Sequence, residues 1–167
     1  MRDEVDELVE AWARERPDLD LAPVEVFSRI SRLGRHLDLA RRDAFTAAKV
    51  ESWEFDVLAA LRRAGAPYEL SPGRLLKETL VTSGTMTNRV DRLVDRGLVE
   101  RLPDPRDRRG VIVRLTPAGV RQVDDAFASL LDREHELLGD LAAADRSRLA
   151  DLLRSLVLPF EPPPAAR

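Results

Sequence analysis

Residues 104–119, Asp-Pro-Arg-Asp-Arg-Arg-Gly-Val-Ile-Val-Arg-Leu-Thr-Pro-Ala-Gly, carry an arginine-dense turn flanked by two short apolar runs, 98–102 and 111–115. This layout reads as a β-hairpin with a positive tip. Hairpin tips ordinarily carry Asn, Gly or mixed polar residues that suit the turn geometry. Here Arg106, Arg108 and Arg109 concentrate charge instead. Such a tip needs an anionic surface opposite it, and a nucleic-acid phosphate or a narrow minor groove fits that need. Arg109 is the minor-groove candidate, held with its neighbours by Asp107, while Arg106 and Arg108 face phosphates. The alternative is a solvated turn whose arginines pair with Asp104 and Asp107.

Working outward, apolar spacings of three and four predict helices over 3–15, from Pro23 to about Ala48, and from Ser52 as N-cap to Ala64. Ser71-Pro72 opens a fourth helix with Leu75, Leu76 and Leu80, and Thr82 caps a fifth from Ser83 to about Arg96, closed by Gly97. After the hairpin, Thr116-Pro117 starts a long helix whose apolar residues run from Val120 to Leu141, and Asp145 caps a last one. The tail from Glu161 cannot continue a helix. The expected fold is mainly α with a small β-hairpin wing, a winged helix-turn-helix with N- and C-terminal dimerisation helices. Residues 49–116 form the DNA-binding region, 1–48 and 117–158 the dimerisation region, and 159–167 a flexible tail. The terminal helices carry more apolar stripe than a small core absorbs, which points to a homodimer.

Composition narrows the function. The 167 residues contain no cysteine, which excludes disulfides, thiolate metal sites and cysteine nucleophiles. The two histidines, His36 and His135, show no metal-ligand spacing. Gly-rich phosphate loops, HExxH and GxSxG are absent, so neither an enzyme nor a cofactor is expected. No apolar run approaches membrane-spanning length, and a cytoplasmic protein without membrane partners follows as the expectation. The net charge of −3 hides a segregation: residues 71–115 hold ten Lys/Arg against six Asp/Glu, and the rest 17 against 24. A basic middle between acidic ends confines a duplex to one surface.

On the fifth helix, steps of about 100° put Met86, Val90 and Leu93 inward and Gly84 and Asn88 outward, flanked by Ser83, Thr85 and Thr87. Small hydrogen-bonding side chains there let a recognition helix approach base edges closely. An ordinary amphipathic surface helix would share the pattern; the preceding short helix and the hairpin favour DNA. Arg74 and Lys77 on the fourth helix are further phosphate candidates.

These residues resemble the MarR family of bacterial transcriptional regulators. The match is carried by Leu75 through Leu93, by Asp91-Arg92-Leu93 with Gly97-Leu98-Val99-Glu100-Arg101, and by Asp104, Asp107-Arg108-Arg109, Leu115-Thr116 and Gly119. It spans residues 23–158 and implies a dimer on a short inverted-repeat operator in double-stranded DNA, with repression relieved by a small ligand. A finer resemblance, to the PecS/HucR-like urate-responsive branch, lies in the added N-terminal helix with Trp12, in 15–20, in 54–59 and in Gly65-Ala66-Pro67-Tyr68. It implies a ligand pocket built from Trp12, Asp56 and Arg89. The pocket histidine of some members has no counterpart, Leu130 standing near its place.

Elementary chemistry allows such a site. Asp56 is expected on a largely buried helix, where a carboxylate needs a cationic or donating partner. Trp12 offers a flat face and an N–H. A planar anion could compete with Asp56 for Arg89 and shift the recognition helix; alternatively Asp56–Arg89 is a permanent salt bridge and Trp12 packs in the dimer. The expected protein is therefore a sequence-specific repressor released by a small anionic or aromatic effector, such as urate or a phenolic compound. A winged-helix module that binds a protein partner without ligand response is the alternative.

Overall fold

The computed structural model describes residues 2–79, 82–105 and 107–161, with all their side chains except those of Arg108 and Arg109. Helix α1 (Glu4–Glu15) begins where Asp3 accepts the Val5 and Asp6 backbone N–H groups at 2.9 and 3.1 Å, while the Asp6 carboxylate accepts from Asp3 N–H at 2.7 Å. That reciprocal cap fixes the first turn. Helix α2 (Ala22–Ala47) lies antiparallel against α1: Asp3 and Asp6 meet Arg29, whereas Leu8 lies beside Pro23 and Val24.

Helix α3 (Ser52–Arg63) has Glu51, not Ser52, at its N-cap, because Glu54 Oε2 reaches back to the Glu51 N–H at 2.9 Å. The chain leaves α3 through Gly65, whose φ of 79° lies in the left-handed region. There follow β1 (Glu69–Leu70), α4 (Pro72–Thr79), α5 (Ser83–Asp95), β2 (Val99–Asp104), β3 (Asp107–Leu115), α6 (Pro117–Leu138), α7 (Ala143–Val157) and a 3₁₀ turn, Leu158–Phe160.

The antiparallel sheet runs β1-β3-β2. Strand β1 was not expected; two residues are too few for an alternation signal. It is defined by its partner, with Glu69 opposite Arg114 and their side chains paired at 2.6 Å. Helix α6 ends at Leu138 because Gly139 turns to φ 50°, leaving Leu141 in the connection to α7. Helix α7 starts two residues before the expected cap, so Asp145 sits in its first turn, where a negative charge suits the helix dipole. Leu80 and Val81, assigned to the fourth helix and the turn after it, and the tail 162–167 lie outside the described residues.

The main core joins α3, α4, α5, the sheet and α6 through Leu58, Leu61, Leu75, Met86, Leu93, Val113 and Val123. Its tightest joint is Gly119 in the first turn of α6, which the Leu98 carbonyl approaches so closely that a Cβ would stand 2.0 Å away. A second cluster holds Ala44, Phe45 and Leu130, with Phe45 stacked on Phe55 at 4.6 Å. The fold is thus mostly helical with a small winged sheet. Helices α1, α2 and α7 leave large apolar side chains uncovered, among them Phe27, Leu33, Leu152 and Leu156, with Phe160 just beyond them 88% exposed. No helix among the described residues is long and apolar enough to cross a membrane.

Candidate nucleic-acid interface

Helix α5 is divided as the periodicity predicts: Met86, Val90 and Leu93 are buried, whereas Ser83, Gly84, Thr85, Thr87 and Asn88 are exposed. The N-cap departs from expectation. Thr82 has N-cap backbone angles, but its hydroxyl bonds the Thr85 hydroxyl at 2.9 Å and caps no backbone N–H. The first turn carries no acidic side chain. Its orphan N–H groups and positive dipole end are open to an anion.

The wing is more structured than a charged tip. Asp104 pairs with Asp107 and Pro103 with Val111, so Arg108, Arg109 and Gly110 form a bulge on β3. Bulges re-aim side chains and sharpen twist. A Cβ on Gly110 would lie 2.8 Å from Asp104 Cβ, so the bulge needs glycine there. Arg106 lies outside the described residues, and for Arg108 and Arg109 only the backbone is described. Asp104 and Asp107 both have interaction partners.

Arg74 and Lys77 are exposed on α4, and Arg74 shares a small hollow with Asp104, Pro105 and Ile112 at the base of the wing. The other basic residues of this region are engaged within the chain. Arg101 pairs with Asp91, Arg114 with Glu69, Arg92 with Glu51 at 2.8 Å and Arg96 with Glu54. Arg89 lies 5.5 Å from the centre of the Trp53 ring, and Arg92 lies 4.7 Å from it. The Trp53 indole N–H donates to Glu51 at 2.6 Å and, with Arg92, holds that carboxyl below its usual range.

Within one chain the three expected ligand-pocket residues, Trp12, Asp56 and Arg89, are not brought together. Asp56 is exposed, because the register of α3 turns Val57, Leu58 and Leu61 inward instead. No ion pair joins Asp56 to Arg89 among the described residues, and Arg89 faces Trp53. Trp12 is 49% exposed in the last turns of α1.

Asp56 instead lines a cavity of about 410 Å³ with Asp38, Arg41, Arg42, Phe45, Ser52, Phe55 and Leu130. Sequence reasoning missed Arg41, Arg42 and Phe55 as pocket residues, and Trp53 and Glu54 as partners of α5. The adjacent arginines on α2 were a usable signal; the partners of α5, about forty residues away in sequence, left none.

The MarR family model matches residues 49–110. The HTH-type transcriptional regulator PecS of Dickeya dadantii (strain 3937) is 35% identical over 150 residues, covering 90% of this chain and 90% of that protein. A mutant MarR from E. coli, complexed with operator DNA, superposes with a TM-score of 0.66 at 30% identity, covering 84% of this chain and 99% of that one. Bordetella bronchiseptica BpsR, whose DNA binding is regulated by 6-hydroxynicotinic acid, superposes at 0.62 with 30% identity, covering 78% of this chain and 91% of that one.

Proposed function

The chain belongs to the MarR family and is a transcriptional regulator, not an enzyme; from that premise we propose that it binds an inverted-repeat DNA operator as a homodimer and represses until a small organic anion releases it. The observation that carries the DNA reading is the exposed, small and polar N-terminal face of α5, with no acidic side chain in its first turn. Ser83, Gly84, Thr85, Thr87 and Asn88 read base edges in the major groove, and Arg109 enters the adjacent minor groove. Arg106 and Arg108 meet phosphates with Arg74 and Lys77. The dimer is supported by the apolar faces of α1, α2 and α7, where Val26, Ile30, Leu33, Leu149, Leu152 and Leu156 line one open groove. Such a surface on a chain of this size marks an interface.

The effector occupies the cavity beside Asp56. Its size suits a small ligand, Phe45 and Phe55 supply an aromatic wall, and Arg41 and Arg42 supply cations for an anionic group. Asp56 accepts from ring N–H or O–H donors of urate, a phenolic compound or a hydroxylated heteroaromatic acid. Trp12 completes the site only from the second subunit, and Arg89 only after leaving Trp53. Selecting DNA from a random pool, with and without these anions, tests the reading. The expected product is an inverted repeat with half-sites about one helical turn apart, depleted when the effector is present. Recovery of no preferred duplex would refute it.

A further inference from the structure

Glu54 is the only buried charged side chain among the described residues, at 1% exposure. Taking a carboxylate out of water costs several kcal/mol unless it is paired, and an apolar or amide residue would serve stability as well. Here its partners are specific. Glu54 Oε2 accepts the Glu51 N–H at 2.9 Å and meets the Arg96 guanidinium, whose other nitrogen donates to the Lys49 carbonyl at 2.9 Å. Lys49 itself stands at φ 55°, the left-handed region that non-glycine residues rarely adopt.

Arg89, Arg92 and Arg96 lie three and four residues apart, one stripe along α5. Each is held by the first turn of α3 or the residues just before it: Arg89 and Arg92 over Trp53, Arg92 by Glu51, Arg96 by Glu54 and Lys49. The opposite end of α5 has no comparable side-chain anchor among the described residues. Ion pairs and ring contacts pin the helix at its C-terminal turns, Met86 packs its first turns into the core, and the polar face opposite Met86 stays exposed.

We propose that Glu54, acting through Arg96, is a positioning residue that sets the angle at which α5 meets DNA and thereby the preference for one base sequence over another. This rests on the reading of α5 as the base-reading helix. Leverage makes the effect large. Ser83 lies thirteen residues from Arg96, about 20 Å along the axis, so a tilt of about 10° at the pin moves the tip by roughly 3 Å. That displacement exceeds the tolerance of a hydrogen bond to a base edge. The same turn of α3 presents Ser52, Phe55 and Asp56 to the cavity on its other side. A ligand lodged there presses on the turn that holds the pin.

The test uses the full-length wild-type protein, Glu54→Gln, Arg96→Met and the double variant, with the duplex that the wild type selects from a random pool and a random duplex of equal length. The quantity read is the ratio of the two affinities, together with the salt dependence of binding. A merely structural defect lowers the folded fraction and weakens both duplexes alike, leaving the ratio unchanged. The expected result is a fall in the ratio of about tenfold or more in each single variant, the scale of losing one base-pair match. The double variant should be no worse than either single variant, and the salt slope should be unaltered, since the Arg96 guanidinium is committed to Glu54 and the Lys49 carbonyl. Should Glu54→Gln not fold, Arg96→Lys gives the same reading, because an ammonium cannot span Glu54 and the Lys49 carbonyl together. An unchanged ratio in variants of a discriminating wild type overturns the inference alone. A wild type that prefers no duplex overturns the DNA reading beneath it.

Discussion

Gly119 offers the sharpest test of how the wing is attached to the helical body. Replacing it with alanine puts a Cβ 2.0 Å from the Leu98 carbonyl oxygen, 3.0 Å from its carbon and 3.2 Å from Leu115 Cδ2. Ordinary contact begins at 3.4 Å, so α6 and the start of β2 must part by roughly 1.4 Å in a close-packed interior. That carbonyl accepts from the Thr116 N–H at 3.1 Å and the Thr116 hydroxyl at 3.2 Å, and both bonds stretch when the joint opens. Overpacking costs about 1–3 kcal/mol and each hydrogen bond about 1, while alanine returns about 1 in helix propensity. The net loss is about 2–4 kcal/mol, or roughly 5–15 °C in melting temperature for a chain of this length. Gly84→Ala is the control: nothing lies within 4 Å of the added Cβ, so the helix keeps or gains stability. Both variants are melted at one fixed protein concentration, because a dimer's stability depends on it. A Gly119→Ala protein that melts with the wild type would refute the close approach on which the argument rests.

Asn88→Ala should relax base preference at one operator position while leaving the salt slope unchanged, read by repeating the selection; an unchanged ranking of sites removes Asn88 from the recognition set. Arg109→Ala should weaken operator binding and reduce the slope of log affinity against log salt by about 1 per subunit. Acid should loosen α1. The Arg29 guanidinium, helped by backbone N–H groups, lowers the Asp3 carboxyl from 3.8 to about 2. A depressed folded-state value means the contribution is complete above about pH 4 and is lost as pH falls toward 2. Asp3→Asn keeps a capping side chain but should abolish that acid-dependent step in helical content.

What was legible in the sequence was local. Both faces of helix α5 are legible because Met86, Val90 and Leu93 obey one period, and Gly65, Gly97 and the helix-opening Pro117 mark real boundaries. Strand β1 was invisible because two residues exist as a strand only through their pairing with Arg114 and Val113. The bulge at Arg108–Gly110 was read as part of a single turn, since one extra loop of backbone leaves the same composition in either arrangement. Asp56 and Arg89, weighed as a permanent pair, are not joined within one chain for a related reason. Opposite charges on two helices suggest a partner, but which turn faces which is set by packing. In the fold Glu54 is buried and Asp56 exposed, two residues apart on α3.

The charge pattern shows how far this matters for function. Ten Lys/Arg in residues 71–115 looked like a footprint for a polyanion. Five of them are held internally: Arg92, Arg96, Arg101 and Arg114 by carboxylates and Arg89 by an indole ring. That leaves at most five of the ten per subunit to displace counterions from the duplex: Arg74, Lys77, Arg106 and Arg108 at phosphates and Arg109 in the minor groove. With a slope of about −0.9 per phosphate contact, a dimer using all ten per subunit would show about −18, whereas the internal pairing caps it near −9. Measuring operator affinity across salt concentrations separates the two. A slope well beyond about −9 would mean that internal pairs such as those between α3 and α5 open on DNA and release their arginines to the backbone. A slope within the cap means that Arg89, Arg92 and Arg96 keep their contacts to α3 and its leading residues and orient the reading helix, so specificity and not bare affinity should suffer when they are removed.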